Sequence, residues 1–120
     1  MINRTWGEMK FVSAIIQPSK RSDVERGLTA IGLQGMTVTE VSGIGRQKGH
    51  TAIYQGAEYV LDYLPKLKID IAAEDRLLDE VITVIIKACQ TGRLGDGKVF
   101  ISELRQVVRI RTGENDNEAI

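Results

Sequence analysis

Residues 10–41 have the sequence KFVSAIIQPSKRSDVERGLTAIGLQGMTVTEV, and this stretch decides the fold. Its first eight residues are mostly apolar and are followed by Pro18, which predicts a central strand with apolar side chains on both faces. Ser22 followed by Glu25 is a capping box, and the apolar spacing after it predicts a helix that closes at Gly32. The last six residues predict a second strand, so the stretch forms one strand-helix-strand unit.

The rest of the chain repeats this unit after a long connection. Residues 67–71 alternate apolar with charged side chains and predict a third strand, and a second helix is predicted over residues 74–91. The predicted buried face of this helix is Leu77, Leu78, Val81, Ile82, Ile85, Ala88 and Cys89. Short strands are predicted at residues 99–104 and 107–111. With right-handed crossovers, this order predicts an α+β fold, a ferredoxin-like βαββαβ sandwich with both helices on one face of an antiparallel sheet.

The sheet face away from the helices is expected to be apolar as well, with Val12 and Ile16 among its residues. An apolar face of that size needs to be covered, so we expect copies of the chain to associate. A monomer with scattered exposed apolar side chains is the alternative.

The composition excludes several classes of protein. A chain of 120 residues has room for one ordinary domain. Sixteen basic and sixteen acidic side chains give a net charge of zero, so nucleic acid is not an expected partner. A hydrophobic fraction of 42% is too high for a disordered chain, and 5% aromatic residues leave little material for stacking on bases.

Catalytic and metal-binding signatures are not recognisable in the sequence. The single cysteine, Cys89, excludes an intramolecular disulfide and is predicted to be a core residue rather than a nucleophile. The single histidine, His50, cannot form a metal site alone. With neither a signal peptide nor an apolar span of about eighteen residues recognisable, a cytoplasmic location is expected.

Three segments at strand ends suit an anion: residues 43–50 (GIGRQKGH), residues 91–98 (TGRLGDGK), and Arg109 with Arg111, which a strand would place on one side. Taken singly, each has a plain structural explanation as a turn, a helix cap followed by an Asp-Gly turn, or a surface charge stripe. Together in a neutral protein they predict a nucleotide or phosphate site, built between subunits.

The connection over residues 42–65 is longer than most loops in a compact domain, which indicates a functional segment. It holds every tyrosine of the chain, namely Tyr54, Tyr59 and Tyr63, which favours partner docking or modification. The alternative is that the flanking strands extend into a long hairpin.

From residue 9 to residue 120 the chain resembles the PII nitrogen-regulatory signal proteins. The motifs that carry the resemblance are GMTVTEV at 35–41, GRQKGH at 45–50, GAEY at 56–59, LPK at 64–66, TGRLGDGK at 91–98 and RIRTGE at 109–114. The resemblance implies an N-terminal extension at 1–8 and a single PII-like domain at 9–120. Within that domain it implies a T-loop at 44–63, a B-loop at 90–98, and a C-terminal loop and tail at 110–120.

The resemblance further implies a ferredoxin-like homotrimer that binds ATP or ADP in clefts between subunits. The implied nucleotide-binding residues are Thr37, Gly45, Arg46, Gln47, Ala72, Gly95, Asp96, Gly97, Lys98, Arg109 and Arg111. Arg109 and Arg111 would reach the phosphates from the neighbouring chain. With Mg-ATP bound, 2-oxoglutarate would bind near Gln47, Lys66 and Gly95, and Gln47 would also help to ligate Mg²⁺. The metal and Lys66 would offset the repulsion between a dicarboxylate and a triphosphate.

The implied function is control of nitrogen metabolism, or of linked carbon metabolism, by binding target enzymes or membrane transporters through the T-loop. Tyr59 matches the tyrosine that is uridylylated in proteobacterial members, which makes a uridylyltransferase a candidate partner. Ala52 and Gln55 replace a glutamate and an arginine that are common in nitrogen-regulating members, which speaks against docking to an ammonium channel. Residues 17–20, QPSK, replace the usual KPFK.

The leading hypothesis is therefore a non-catalytic trimeric sensor. The main alternative is a small ferredoxin-like nucleotide-dependent enzyme, either a weak ATPase or a phosphotransferase that uses His50. A purely structural trimer is the third possibility.

Overall fold

A computed structural model of the chain describes residues 9–45, 52–54, 57–59 and 62–120. In chain order the elements are β1 (Met9–Ile16), α1 (Arg21–Ala30), β2 (Thr37–Gly45), β3 (Ala52–Tyr54), β4 (Ala57–Tyr59), β5 (Asp62–Glu74), α2 (Leu78–Cys89) and β6 (Gly97–Glu103). Short 3₁₀ turns lie at Pro18–Lys20, Asp75–Leu77 and Asp116–Glu118.

Four strands form one antiparallel sheet in the order β2-β5-β1-β6. β1 is central, and the predicted ferredoxin-like βαββαβ arrangement is confirmed. β3 and β4 pair with each other in a separate two-stranded sheet. Within the described ranges, neither helix is both long and apolar enough to cross a membrane.

The helices cover one face of the sheet and form the core with it. Val12 and Ile16 of β1 are 0% and 1% exposed and belong to the same buried cluster as Val24 and Leu28 of α1. From α2 the buried residues are Val81, Ile85 and Cys89. Cys89 is therefore a core residue, as predicted, and burial raises the pKa of its thiol.

The expectation that Val12 and Ile16 lie on the open face is wrong. Side chains alternate along a strand, so the helix-facing residues of β1 leave Phe11, Ser13 and Ile15 for the open face. The hydroxyl of Ser13 donates to a carboxylate oxygen of Asp70 on β5 at 2.7 Å. The open face is thus mixed in polarity rather than continuously apolar.

The two helices approach each other closely at one point. A Cβ added to Gly27 of α1 would lie 2.5 Å from Cγ1 of Val84 on α2, so glycine is what allows this approach. The predicted capping box is wrong: Ser22 lies inside α1, and Glu25 instead accepts a hydrogen bond from Nε of Arg21 at 2.7 Å. An N-cap residue needs an extended backbone, whereas here the Pro18–Lys20 turn leads straight into α1.

The segment over residues 42–65 begins and ends in strand. β2 and β5 stay paired as far as Gly45 and Asp62, so the extended-hairpin alternative is confirmed at both flanks. β5 tolerates Pro65 because β1 ends at the pair of Ile16 with Leu67, which leaves β5 with a neighbour on one side only.

Candidate functional site

The loop between α2 and β6 is closed by the carboxylate of Asp96. Its Oδ2 accepts hydrogen bonds from the backbone N–H groups of Thr91 at 2.8 Å and Gly92 at 3.0 Å, and its Oδ1 accepts from the hydroxyl of Thr91. The hydroxyl oxygen of Thr91 accepts in turn from the backbone N–H of Arg93 at 3.2 Å. The first three amides of the loop are therefore satisfied inside it.

The hydrogen bonds from Thr91 and Gly92 lower the pKa of Asp96. The carboxylate is ionised at neutral pH and repels a nearby phosphate, so its visible role is to hold the loop. Because the amides of residues 91–93 point inward, the part of the loop left to contact an anion is residues 94–98.

Gly97 is required where the loop meets the sheet. Its φ is +103°, and a Cβ at this position would lie 1.8 Å from the carbonyl oxygen of Ile15. A residue with a side chain would have a strained backbone at this φ, and its Cβ would collide with the backbone of Ile15. Glycine therefore fixes the point at which β6 begins beside the end of β1.

Two side chains from the sheet hold the middle of the same loop. Nζ of Lys66 on β5 donates to the carbonyl oxygen of Gly95 at 2.5 Å. Nε2 of Gln17, the residue after β1, donates to the same oxygen at 3.2 Å. The structure thus brings together Lys66 and Gly95, two of the three residues predicted for 2-oxoglutarate.

Lys98 is the last residue of the 91–98 loop and the second residue of β6, and it is exposed. It lines a cavity of about 400 Å³ between α2 and β6, whose other walls include Ile82, Ile86 and Val99. Lys98 forms no ion pair with any residue of the described ranges, so its ammonium group is available to an anion.

Thr37 and Ala72 line a second cavity, of about 610 Å³, together with Phe11 and Asp70. The chain terminus at Ala119 and Ile120 also contributes to its wall. Three strand spacings separate β2, which carries Thr37, from β6, which carries Lys98. At close to 5 Å per spacing this is about 14 Å across the sheet. One chain therefore does not gather all the predicted nucleotide-binding residues at one point.

The prediction of a strand over residues 107–111 is wrong. These residues begin the C-terminal hairpin, which we define as residues 107–116. It is held by an isolated bridge between Val108 and Asn115 and by the bond from the N–H of Gly113 to the carbonyl of Arg109 at 2.8 Å. The chain reverses between Arg109 and Glu114, so the spacing of Arg109 and Arg111 is not that of a strand. Nη1 of Arg109 lies 3.3 Å from Oε1 of Glu114.

Several predicted positions lie outside the described residues. They include the nucleotide positions Arg46 and Gln47, as well as His50 and Gln55. Gly45, Ala52 and Tyr59 lie in β2, β3 and β4, and only their place in these strands is described. In the part of the chain that is described, no three His, Cys, Asp or Glu side chains gather as a metal site.

Sequence reasoning missed three contacts of the site. In the sequence, Gln17 stands out only as a departure from the KPFK motif, and nothing there links it to Gly95, 78 residues away. The internal bonding of Asp96 could have been anticipated, since Asp often accepts from nearby backbone amides. The pairing of Arg109 with Glu114 was hidden by the mistaken strand.

Comparison with known proteins gives one consistent result. A sequence model described as nitrogen regulatory protein P-II matches residues 9–114. Nitrogen regulatory protein GlnK of Escherichia coli K12 is 57% identical over 112 residues, which is 93% of this chain and all of that protein. Nitrogen regulatory protein P-II 1 of the same organism is 54% identical over 112 residues, with the same coverage.

Among solved structures, the crystal structure of Arabidopsis thaliana PII bound to citrate is similar to this one with a TM-score of 0.77. The two sequences are 30% identical, and the match covers 95% of this chain and 94% of the other.

Proposed function

The chain belongs to the P-II family of nitrogen regulatory proteins, and we propose that it senses ATP or ADP together with 2-oxoglutarate. It is a signal-transduction regulator and not an enzyme, because the relatives that match along nearly its full length are nitrogen regulatory proteins. The weak ATPase and the His50 phosphotransferase are therefore not retained as functions. Proteins of this family are trimeric regulators that interact with target proteins.

The observation that carries the ligand proposal is the contact between Lys66 and Gly95. The half-buried ammonium group of Lys66 donates one hydrogen bond to a carbonyl oxygen 2.5 Å away, and its other N–H groups can donate to a carboxylate. The loop that holds Gly95 leads within three residues to Lys98, the cation proposed for the phosphates. A dicarboxylate at Lys66 would thus lie beside Gly95, and a triphosphate would lie at Lys98, so the two ligands would bind at opposite ends of residues 95–98.

The distance across the sheet supports a cleft shared between subunits. β2, which carries Thr37, and β6, which carries Lys98, lie about 14 Å apart across the sheet of one chain, and Arg109 lies in the C-terminal hairpin. A neighbouring copy that supplies its Arg109 and Arg111 would complete the set of cations around the phosphates. Mg²⁺ would enter with ATP and screen the phosphate charge from the dicarboxylate, with Gln47 as its proposed protein ligand.

The test is calorimetry on the purified protein with ADP, and with 2-oxoglutarate in the presence of Mg-ATP. Lys66→Ala is expected to lose 2-oxoglutarate binding while ADP binding changes little, since this ammonium group contacts the dicarboxylate and not the nucleotide, and Gln17 still donates to the carbonyl of Gly95. Lys68→Ala is the matched control, because Lys68 lies two residues along β5 on the same face and 3.8 Å from Asp70. No binding of ATP, ADP or 2-oxoglutarate to the wild type would refute the proposal. Equal loss of ADP and 2-oxoglutarate in Lys66→Ala would refute the assignment of Lys66.

We further propose that the segment 44–63 binds a regulated enzyme or transporter when the ligands favour one of its conformations. A ligand shifts such an equilibrium only by its difference in affinity for the two states. The replacements at Ala52 and Gln55 argue against an ammonium channel as the target. Uridylylation of Tyr59, a cytoplasmic location and recruitment to a membrane stay predictions. A pull-down from native lysate with ADP, compared with Mg-ATP plus 2-oxoglutarate, is expected to recover a protein that depends on the ligand state.

A further inference from the structure

The carbonyl oxygen of Gly95 accepts hydrogen bonds from two side chains, one on β5 and one directly after the end of β1. Lys66 reaches it from β5 at 2.5 Å, and Gln17 reaches it from the end of β1 at 3.2 Å. Both side chains are half-buried. The 91–98 loop is therefore tied to the sheet at its middle by one charged and one neutral donor.

The difference in charge decides which donor can leave. A carboxylate forms a much stronger hydrogen bond with the ammonium group of Lys66 than with the amide of Gln17. Under the proposed function, the carboxylate of 2-oxoglutarate draws the ammonium group of Lys66 toward itself, and the hydrogen bond from Lys66 to the carbonyl of Gly95 weakens. Weaker hydrogen bonding at a half-buried carbonyl is unfavourable, so the donor from Gln17 becomes important at that moment.

We propose that Gln17 is a positioning residue that keeps Gly95 in place while Lys66 binds the dicarboxylate. By holding Gly95 it also holds Lys98, three residues further on, at the phosphates. This inference rests on the proposed function and deepens it. It makes Gln17 dispensable while Lys66 still contacts Gly95, and necessary once the effector has bound.

The experiment measures the Kd of Mg-ATP by calorimetry with and without saturating 2-oxoglutarate. The variant is Gln17→Met, whose side chain has a similar length and no hydrogen-bond donor. Ser19→Ala, an exposed position two residues further on, controls for disturbance of the connecting segment. The measured quantity is the ratio of the Kd without effector to the Kd with effector, which linkage makes equal to the effect of ATP on 2-oxoglutarate.

Without effector, Gln17→Met is expected to bind Mg-ATP within about twofold of wild type, because Lys66 still holds Gly95. The ratio is expected to fall about three- to tenfold, which corresponds to one hydrogen bond. Ser19→Ala is expected to keep the wild-type ratio. Gln17→Ala serves as a second variant, with thermal unfolding to verify that each variant folds.

An unchanged ratio in both Gln17 variants would overturn this inference alone. So would an equal weakening of Mg-ATP binding with and without effector, which is what a merely structural role predicts. A wild-type protein in which 2-oxoglutarate has no effect on Mg-ATP would instead overturn the proposed function, and this inference with it.

Discussion

The 91–98 loop and the C-terminal hairpin are both short, glycine-containing segments with basic residues, and both are closed by an acidic side chain. In the loop, Asp96 accepts from Thr91 and Gly92, which are neutral donors. In the hairpin, Glu114 pairs with Arg109 itself, at 3.3 Å. The acid of the loop thus leaves the nearby cation Lys98 available, whereas the acid of the hairpin partly neutralises its cation.

This difference shows that basic residues near glycine do not make equal anion sites. A phosphate that approaches Lys98 displaces no ion pair with the described residues. A phosphate that approaches Arg109 competes with Glu114. We therefore expect the loop to provide more of the nucleotide affinity than the hairpin does.

The largest expected effect concerns the glycine at the end of the loop. Gly97→Ala should destabilise the protein by more than about 3 kcal/mol, because the added Cβ would lie 1.8 Å from the carbonyl oxygen of Ile15. Gly113→Ala in the hairpin is the matched control, with φ of +72° and no atom within 4 Å of the added Cβ. It should cost about 1–2 kcal/mol. Chemical denaturation measures both, and equal losses would contradict the close packing of the loop on β1.

The second prediction compares the two cations. Lys98→Ala should weaken ADP binding by about 1.5–3 kcal/mol through loss of a charge-assisted contact to phosphate. Arg109→Ala should weaken ADP binding less than Lys98→Ala does, by a difference of up to about 1 kcal/mol. The reason is that Arg109 must give up its exposed ion pair with Glu114 when it binds phosphate, which reduces its net contribution. Calorimetry with ADP gives both values. A larger loss for Arg109→Ala would reverse the ranking of the two segments, and no change for either would favour the purely structural trimer.

Strong acid should loosen the 91–98 loop. The pKa of Asp96 is lowered from 3.8 in the folded protein, so its stabilising effect is complete above that value and is lost as the pH falls further. Amide exchange followed by NMR should show protection at Gly92 that is constant from pH 7 to about 5 and that decreases only below about 3.8, as the pH approaches the lowered pKa of Asp96. Gly113, whose amide donates to the carbonyl of Arg109, provides the comparison in the hairpin. In Asp96→Asn the protection at Gly92 should be weak at every pH, and a wild-type response would contradict the role of Asp96.

The smallest expected effect is an increase in affinity for ADP. Glu114→Gln should raise ADP affinity by up to about fivefold, because it releases Arg109 from an exposed ion pair of at most about 1 kcal/mol. Glu118→Gln is the control, since it also removes one negative charge near the end of the chain. An equal gain in both variants would point to long-range repulsion rather than to the pair with Arg109.

The sequence was sufficient to predict the fold because its signal is local. Apolar spacing and breakers such as Pro18 and Gly32 marked the strands and helices, and their order determined the sheet. The predictions that were wrong depend on contacts between residues that are distant in the sequence or on the local backbone. The side of the sheet on which Val12 lies depends on where the helices pack, and the capping role of Ser22 depends on the turn that precedes it.

For the site, the motifs predicted the residue types but not their contacts. Lys66 and Gly95 were associated through the family resemblance, and the structure places them in contact. The second donor of that cluster, Gln17, comes from a strand end 78 residues away from Gly95, which a sequence pattern does not encode. The reversal at Gly113 outweighed the alternating pattern around Arg109, because five residues are too few to specify a strand.

The central position of β1 has a consequence for folding during synthesis on the ribosome. Among the described strands β1 is synthesised first, yet its two neighbours are β5 and β6, and β6 ends at Glu103. At translation rates of roughly 5–20 residues per second, the apolar residues 9–16 wait on the order of 5–20 s for their last partner. During that interval they are exposed to chaperones and to other nascent chains. We therefore expect the rate of synthesis, and not only the finished sequence, to influence how much of this regulator reaches its folded state.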